Sequence, residues 1–272
     1  MKSMIVILAS AIALAACSKT EQTSEATDTV ASPVETVQDP AAIYAAAVEN
    51  PARSEADRQR DATRKPDQVL EFFGIKPGMH VLDMFSGGGY YTELLSYVVG
   101  PEGHVTSHSN EPYAQFVGDE AVTRYSNDRL PNISILMAEN NELQLDADSY
   151  DAVLLILSFH DIYHVDPKNG WDKIDGPRFL SELYKGMKPG AVMGIVDHYA
   201  EAGSPRETGN TLHRIDPAIV ISEMQAAGFV ADGKSNVLRN MDDDYSKNMF
   251  DPAVRGKTDR FVMRFIKPEQ AP

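Results

Sequence analysis

Cysteine is almost missing from this chain: 272 residues contain one, Cys17. That excludes an intramolecular disulfide framework and any zinc site built on cysteine. Tryptophan is also single, Trp171. Basic residues are scarce, with 25 Lys and Arg against 40 Asp and Glu and a formal charge of −15. So acidic a surface repels phosphate backbones, which argues against nucleic acid as a partner. Long hydrophobic runs are absent too. The longest, Met4 to Ala16, has 13 residues, too short for an ordinary membrane-spanning helix.

That run follows Met1-Lys2 directly and ends at the only cysteine. A cationic start, an apolar stretch and small residues at its end describe an export signal rather than a folded element. Leu14-Ala15-Ala16-Cys17 resembles the lipobox of bacterial lipoproteins. The resemblance implies a signal peptide over 1–16 and a lipid on Cys17, the sole membrane attachment expected. Ser18 after the cysteine implies the bacterial cell envelope, at the periplasmic face of the outer membrane. Residues 18–40 are rich in Ser, Thr, Glu and Ala and carry one Lys against five acids. They cannot bury enough apolar surface to offset their ordering entropy, so 17–40 is expected to be a disordered acidic tether. Residues 41–272, expected to form one domain, then hold a charge of −12.

Within that domain, residues 41–74 read as helical, with Pro66 suited to a first turn and Gly74 to a stop. Short apolar runs then alternate with helical stretches. Strands are expected at His80–Met84, His104–His108, Ile133–Met137, Ala152–Phe159 and Ala191–Val196. Helices are expected at Tyr91–Val99, Glu111–Val117, Pro177–Met187 and Asp216–Ala227. Two last strands, Lys234–Leu238 and Phe261–Ile266, flank a long polar loop containing Asp242-Asp243-Asp244. Alternation of this kind predicts an α/β fold: a doubly wound, mostly parallel seven-stranded sheet with helices on both faces.

The sharpest motif is Val81-Leu82-Asp83-Met84-Phe85-Ser86-Gly87-Gly88-Gly89-Tyr90-Tyr91-Thr92, a buried strand entering a glycine turn and then a helix. Glycine lets such a turn take positive φ and lets a ligand approach the backbone. A dinucleotide-binding loop would need a third glycine where Thr92 stands. An acid followed at four and six residues by glycine, as in Asp83, Gly87 and Gly89, resembles the first motif of the class I S-adenosylmethionine-dependent methyltransferases. Phe85 replaces that family's usual first glycine. The resemblance runs from about Pro66 to Lys267 and includes Lys188-Pro189-Gly190 before the fifth strand. Within the superfamily, Gly-Gly-Tyr-Tyr-Thr and the Arg58/Asp61/Arg64 segment resemble exported bacterial lipoprotein-type predicted methyltransferases.

The resemblance implies a Rossmann-like fold and S-adenosylmethionine as cofactor, bound through Asp83, Phe85, Gly87 and Gly89. Glu139 and Asn140, after the third strand, fall where the superfamily receives the adenine amino group. The ribose acid expected after the second strand is replaced by Ser109, leaving Asn110 or Glu111 to substitute.

A doubly wound sheet binds its ligand beyond the carboxyl ends of its strands. Five of seven histidines map near that edge: His108, His160, His164, His198 and His213. Methyl transfer requires in-line alignment and often loss of a proton from the acceptor. The catalytic group expected is therefore His160 as base, with Asp161 or Asp197 orienting it and His198 beside them. A divalent metal held by His160, His164, Asp161, Asp197 and His198 is the rival use of these residues; the reading assigns no metal ligand. Arg58, Arg64, Arg206 and Arg214 are candidates for anion contact or for ordinary salt bridges. Trp171 and Tyr163, in the insertion Asp161–Gly176, either cover the site or simply pack. The function expected is methyl transfer from S-adenosylmethionine to a small-molecule acceptor. The alternative is an exported binding protein that reuses the fold without catalysis.

Overall fold

The computed structural model describes residues 40–269; the expected signal peptide, Cys17 and the tether up to residue 39 lie outside the described residues. Three helices come first: α1 (Pro40–Val48), α2 (Glu55–Arg64) and α3 (Pro66–Phe73). Ser54 caps α2 by accepting from the Asp57 N–H, satisfying a donor that the helix start leaves free. Pro66 opens α3, whose Val69, Leu70 and Phe73 are buried, and Gly74 ends it at φ 71°.

The alternating part follows as β1 (His80–Met84), α4 (Tyr90–Val99), β2 (His104–Ser109), α5 (Glu111–Val117), α6 (Glu120–Tyr125), β3 (Ile133–Met137) and β4 (Tyr150–Ile156). After two short 3-10 turns come α7 (Gly176–Gly186), β5 (Met187–His198), α8 (Thr208–Leu212), α9 (Pro217–Ala226), β6 (Val230–Ser235) and β7 (Arg260–Ile266). The sheet has seven strands in the order β3-β2-β1-β4-β5-β7-β6, as the alternation predicts. β1 to β5 are parallel, and β7 enters antiparallel between β5 and β6.

Alternation along β1 divides the core. Leu82 and Met84 pack with Val153, Phe179 and Leu183 on one face of the sheet. Val81 packs on the other with Leu70, Leu94 and Leu95. A period of two therefore turns Asp83 toward α4 rather than α7. The strand order reverses between β1 and β4, both paired to each other, and the site lies beyond their carboxyl ends.

Several boundaries differ from the sequence pattern; β5 begins at Met187 rather than Ala191 and so takes in Lys188-Pro189-Gly190. β4 stops at Ile156, because Leu157 at φ 62° turns the chain into the 3-10 turn Phe159–Tyr163. β6 lies at Val230–Ser235 and not at Lys234–Leu238; as an exposed edge strand it has no apolar alternation to mark it. The polar helices α6 and α8 carry no periodic apolar face either, and the pattern misses them.

Candidate active site

One cavity of about 1040 Å³ opens at this edge, and it joins the glycine loop to the histidines. Asp83, Phe85, Ser86, Gly87 and Gly88 form one side; His160, Asp161, His164, His198 and His213 form another. Arg60 and Arg64 from α2 also line the cavity, as do Arg255 and Arg260 from the other end of the chain, with Arg260 beside Arg64.

Asp83 is 2 % exposed and accepts a hydrogen bond from the Thr92 hydroxyl at 2.6 Å. Burial pushes its carboxyl up to about 7, and the Thr92 hydroxyl and N–H offset only part of that. At Gly89, φ is 80° and a Cβ would lie 2.2 Å from the Tyr125 hydroxyl, so both backbone and space require glycine. The loop is covered from α6, where Arg124 donates to the Gly88 carbonyl and also ion-pairs with Asp57 and Glu93. Gly87 and Gly88 face the cavity; Gly89 faces Tyr125.

Phe85 takes φ 50° in the left-handed region, which a bulky residue seldom adopts. Packing holds it there: its ring stacks on Trp171 and Phe179, each at 5.8 Å, and meets His108 edge-on at 5.5 Å. Trp171 thus covers the site, whereas the Tyr163 hydroxyl turns away to Glu223. His108 is fully buried, with Nε2 3.0 Å from the Ala138 carbonyl. Burial pushes it down to about 4, against the raising effect of that carbonyl. It therefore stays neutral in the fold while an unfolded chain would protonate it near 6.5. Its contribution to stability is present above about pH 6.5 and is lost as pH falls toward 4, up to about 3 kcal/mol. Urea unfolding at stepped pH should show that loss shrink in His108→Gln; an unchanged slope contradicts it.

The histidine cluster is built on Asp197, whose carboxylate is fully buried at the end of β5. Asp197 accepts from the His160 backbone N–H and from His160 Nδ1, both at 2.8 Å, and from the His198 N–H at 2.7 Å. On the other nitrogen, Asp161 Oδ1 lies 3.3 Å from His160 Nε2. Burial favours the neutral ring of His160, but Asp197 and then Asp161 outweigh it and hold the imidazolium up to about 9. His198 is the opposite case: burial, then Arg260 and His160, hold it well below its ordinary value and neutral. Its Nδ1 meets the Thr258 hydroxyl at 2.6 Å, while its buried Nε2 has no hydrogen-bond partner.

Not every expected residue converges. Asn110 caps α5, accepting from the Tyr113 N–H at 3.0 Å. Glu139 accepts from the Glu111 N–H at 3.1 Å and lines a separate small depression with Glu111. Neither Glu139 nor Asn140 reaches the large cavity. Among the arginines, Arg58 pairs with Glu55, Arg206 with Glu223 and Arg214 with Asp243, so only Arg64 of the four reaches the cavity. Arg260 joins it: 4 % exposed, it donates to the Thr63 carbonyl at 3.0 Å. Among the described residues neither Arg64 nor Arg260 has a carboxylate partner. Burial and the neighbouring Arg64 push Arg260 down to about 10, which leaves it charged at neutral pH. In an acidic protein, two such cations at one cavity wall make a site for an anion. Arg260 is not legible in the sequence, because strand pairing brings it in from far along the chain; His213, one of the five histidines expected near this edge, lines the cavity. Glu120 is a further cavity residue, its carboxylate lying against Gly88.

The seven-stranded, mostly parallel sheet with its antiparallel β7 has the Rossmann-like methyltransferase fold. The family model "Protein-L-isoaspartate(D-aspartate) O-methyltransferase" matches residues 41–162, less than half of the chain. A demethylmenaquinone methyltransferase of Listeria monocytogenes serotype 4a is 25% identical over 130 residues, 48% of this chain and 49% of that protein. A protein-L-isoaspartate O-methyltransferase of Triticum aestivum is 34% identical over 82 residues, 29% of this chain and 36% of that protein. The chain thus spans half or less of the length of these curated relatives. Among solved structures, an S-adenosylmethionine-dependent methyltransferase from Aquifex aeolicus superposes with TM-score 0.56 at 24% identity, covering 84% of this chain and 98% of that one. The [4+2]-cyclase SpnF superposes with TM-score 0.52 at 18% identity, covering 82% and 86%. At these identities the likeness is one of fold, and SpnF is a reminder that this fold hosts more than one chemistry.

Proposed function

We propose that the chain is an S-adenosylmethionine-dependent methyltransferase acting on a small molecule. One observation carries this reading: the glycine loop with Asp83 and the His/Asp cluster line the same cavity. The residues present fit the cofactor at its polar end. Arg64 and Arg260, without carboxylate partners, would take its carboxylate, Asp83 would face its ammonium, and Ser86–Gly88 would lie along it. Glu120 would replace the missing ribose acid. The fit departs at the adenine end, where Phe85 and Trp171 stack on each other and Glu139 stays outside.

When bound, S-adenosylmethionine supplies an electrophilic methyl group on a sulfonium. The chain's own residues would position the acceptor and remove its proton. Tyr113, Phe116, Trp171 and Phe250 offer an aromatic wall facing the histidines, which supports a flat, partly apolar acceptor with an ionisable hydroxyl. His198 Nε2, neutral and free of a partner, is the proton acceptor in this reading, and Asp197 fixes the backbone that carries it.

Calorimetry and thermal unfolding with S-adenosylmethionine or S-adenosylhomocysteine test the cofactor. Ligand at a hundredfold over Kd should add about 2.7 kcal/mol of stability. No stabilisation at millimolar ligand would end this reading. Arg64→Met and Arg260→Met should each weaken binding roughly 10- to 100-fold, the value of a charged hydrogen bond. Arg206→Met, on the far side of Glu223, should leave affinity unchanged. The aromatic stack at Phe85 favours a second reading, an exported non-catalytic binding protein; binding without turnover on any acceptor would support it.

We infer further that the chain is anchored in the bacterial envelope by a lipid on Cys17. The lipobox-like segment supports this, and no helix among the described residues is long and apolar enough to cross a membrane. Incorporation of labelled palmitate should be lost in Cys17→Ala.

A further inference from the structure

The histidine cluster has a property that the methyl-transfer reading leaves unused. His160, Asp161 and His213 each offer one ligand atom, and these atoms lie within 4.8 Å of one another. All three residues line the cavity. We propose that His160 Nε2, His213 and Asp161 form a binding site for one divalent ion of the first transition row, open to the cavity.

Four observations carry the assignment. First, Nδ1 of His160 is committed to Asp197 at 2.8 Å, which fixes the ring and directs Nε2 at the cluster. A carboxylate behind a histidine in this way is the usual support of a metal ligand. Second, Nε2 is buried and makes no hydrogen bond, although Asp161 Oδ1 is only 3.3 Å away. Third, the chain is built to bring His213 in. A Cβ on Gly209 would lie 2.7 Å from the His160 carbonyl, so α8 packs against the turn more closely than a side chain at that position would permit. His213 then ends α8 at φ 51°, a left-handed backbone uncommon for this residue type, with its Nδ1 3.7 Å from Asp161 Oδ1. Fourth, two neighbouring rings carry a buried nitrogen without a partner: Nδ1 of His164, whose ring is 5.0 Å from that of His213, and Nε2 of His198, whose ring is 5.9 Å from that of His160.

The donor types choose the ion. Two imidazoles and one carboxylate suit zinc, iron, cobalt or nickel, whereas magnesium and calcium require oxygen ligands. Three protein ligands leave coordination positions facing the cavity, where an oxygen of a bound small molecule would complete the shell. The ligand set differs from the one the sequence suggested: Asp197 is the support behind His160, and His213 supplies the ligand in its place.

The test uses the full chain, without a histidine tag, stripped with a chelator and titrated with Co²⁺ alone. A visible d–d absorption should grow and saturate at one equivalent, with a rise in thermal midpoint. His213→Asn, which tolerates the left-handed backbone, and Asp161→Asn should each weaken Co²⁺ at least tenfold. Asp197→Asn, a positioning change, should weaken it about 10- to 100-fold. Excess Mg²⁺ should not displace the ion. Absence of saturable binding, equal competition by Mg²⁺, or unchanged affinity in a folded His213→Asn would overturn the assignment. Should Asp161→Asn not fold, His213→Asn decides alone. S-adenosylmethionine takes no part in this experiment, so its outcome is separable from that of the cofactor reading.

Discussion

Asp83→Asn is expected to remove most of the S-adenosylmethionine affinity and, increasingly from about pH 4 to 7, to make the protein more stable than the parent. Both effects come from one buried carboxyl held up at about 7. Its folded value lies above the unfolded one, near 3.8. The neutral acid therefore stabilises the fold at low pH, and that contribution is lost as pH rises through 7. Asparagine keeps the hydrogen bond from the Thr92 hydroxyl and never ionises, so the variant should gain about 2–4 kcal/mol over the parent at pH 8, and nothing near pH 4. A cationic ligand group needs the ionised form, so parental affinity should fall toward tenfold per pH unit below 7. The variant's residual affinity should be flat. Calorimetry and urea unfolding across pH 5–8 check both. A variant that binds normally, or that is destabilised at pH 8, would be inconsistent with this account.

Arg214→Met should cost about 3–5 kcal/mol of stability, the usual effect of leaving one partner of a buried ion pair alone. The Arg214 guanidinium grips Asp243 with two bonds of 2.8 and 3.0 Å, and it donates to the carbonyls of Tyr199 and Lys247 as well. Asp243 in turn accepts from the Asp259 N–H at 2.7 Å. These bonds pin the 236–259 loop, whose Met249, Phe250 and Arg255 form one wall of the cavity. The same substitution should therefore weaken ligand binding without touching the ligand. Arg214→Met combined with Asp243→Leu should recover part of the lost stability, because no unpaired charge is left buried. A single variant within 1 kcal/mol of the parent by urea unfolding would refute the argument.

How far the sequence could be read follows from which forces are local. β1 and α5 are found with the boundaries expected, because the strand's burial and the helix's cap write themselves into neighbouring residues; the half-exposed edge strand β3 is found with its expected boundaries too. Asp83 and the glycine loop were legible for the same reason, since the turn's backbone demands are met within six residues. The meeting of His160 with Asp197 followed from fold logic, His160 lying just beyond β4 and Asp197 at the end of the adjacent β5. Glu120 and Arg260 did not follow. Glu120 reaches the cavity through α6, which no periodicity announces, and Arg260 lies one residue before the strand the pattern marked. Within the polar loop containing Asp242-Asp243-Asp244, the burial of Asp243 has no local signal, because the arginine that neutralises it lies 29 residues away.

The stack of Phe85 on Trp171 also gives the molecule an optical property. Trp171 is the chain's only tryptophan, so its emission comes from one place, 5.8 Å from the Phe85 ring and 5.4 Å from the His164 ring. Intrinsic fluorescence, with no label attached, therefore reads loop occupancy and ion binding at once. A nucleoside settling against Phe85 should shift its wavelength, and a paramagnetic ion among the histidines should quench it.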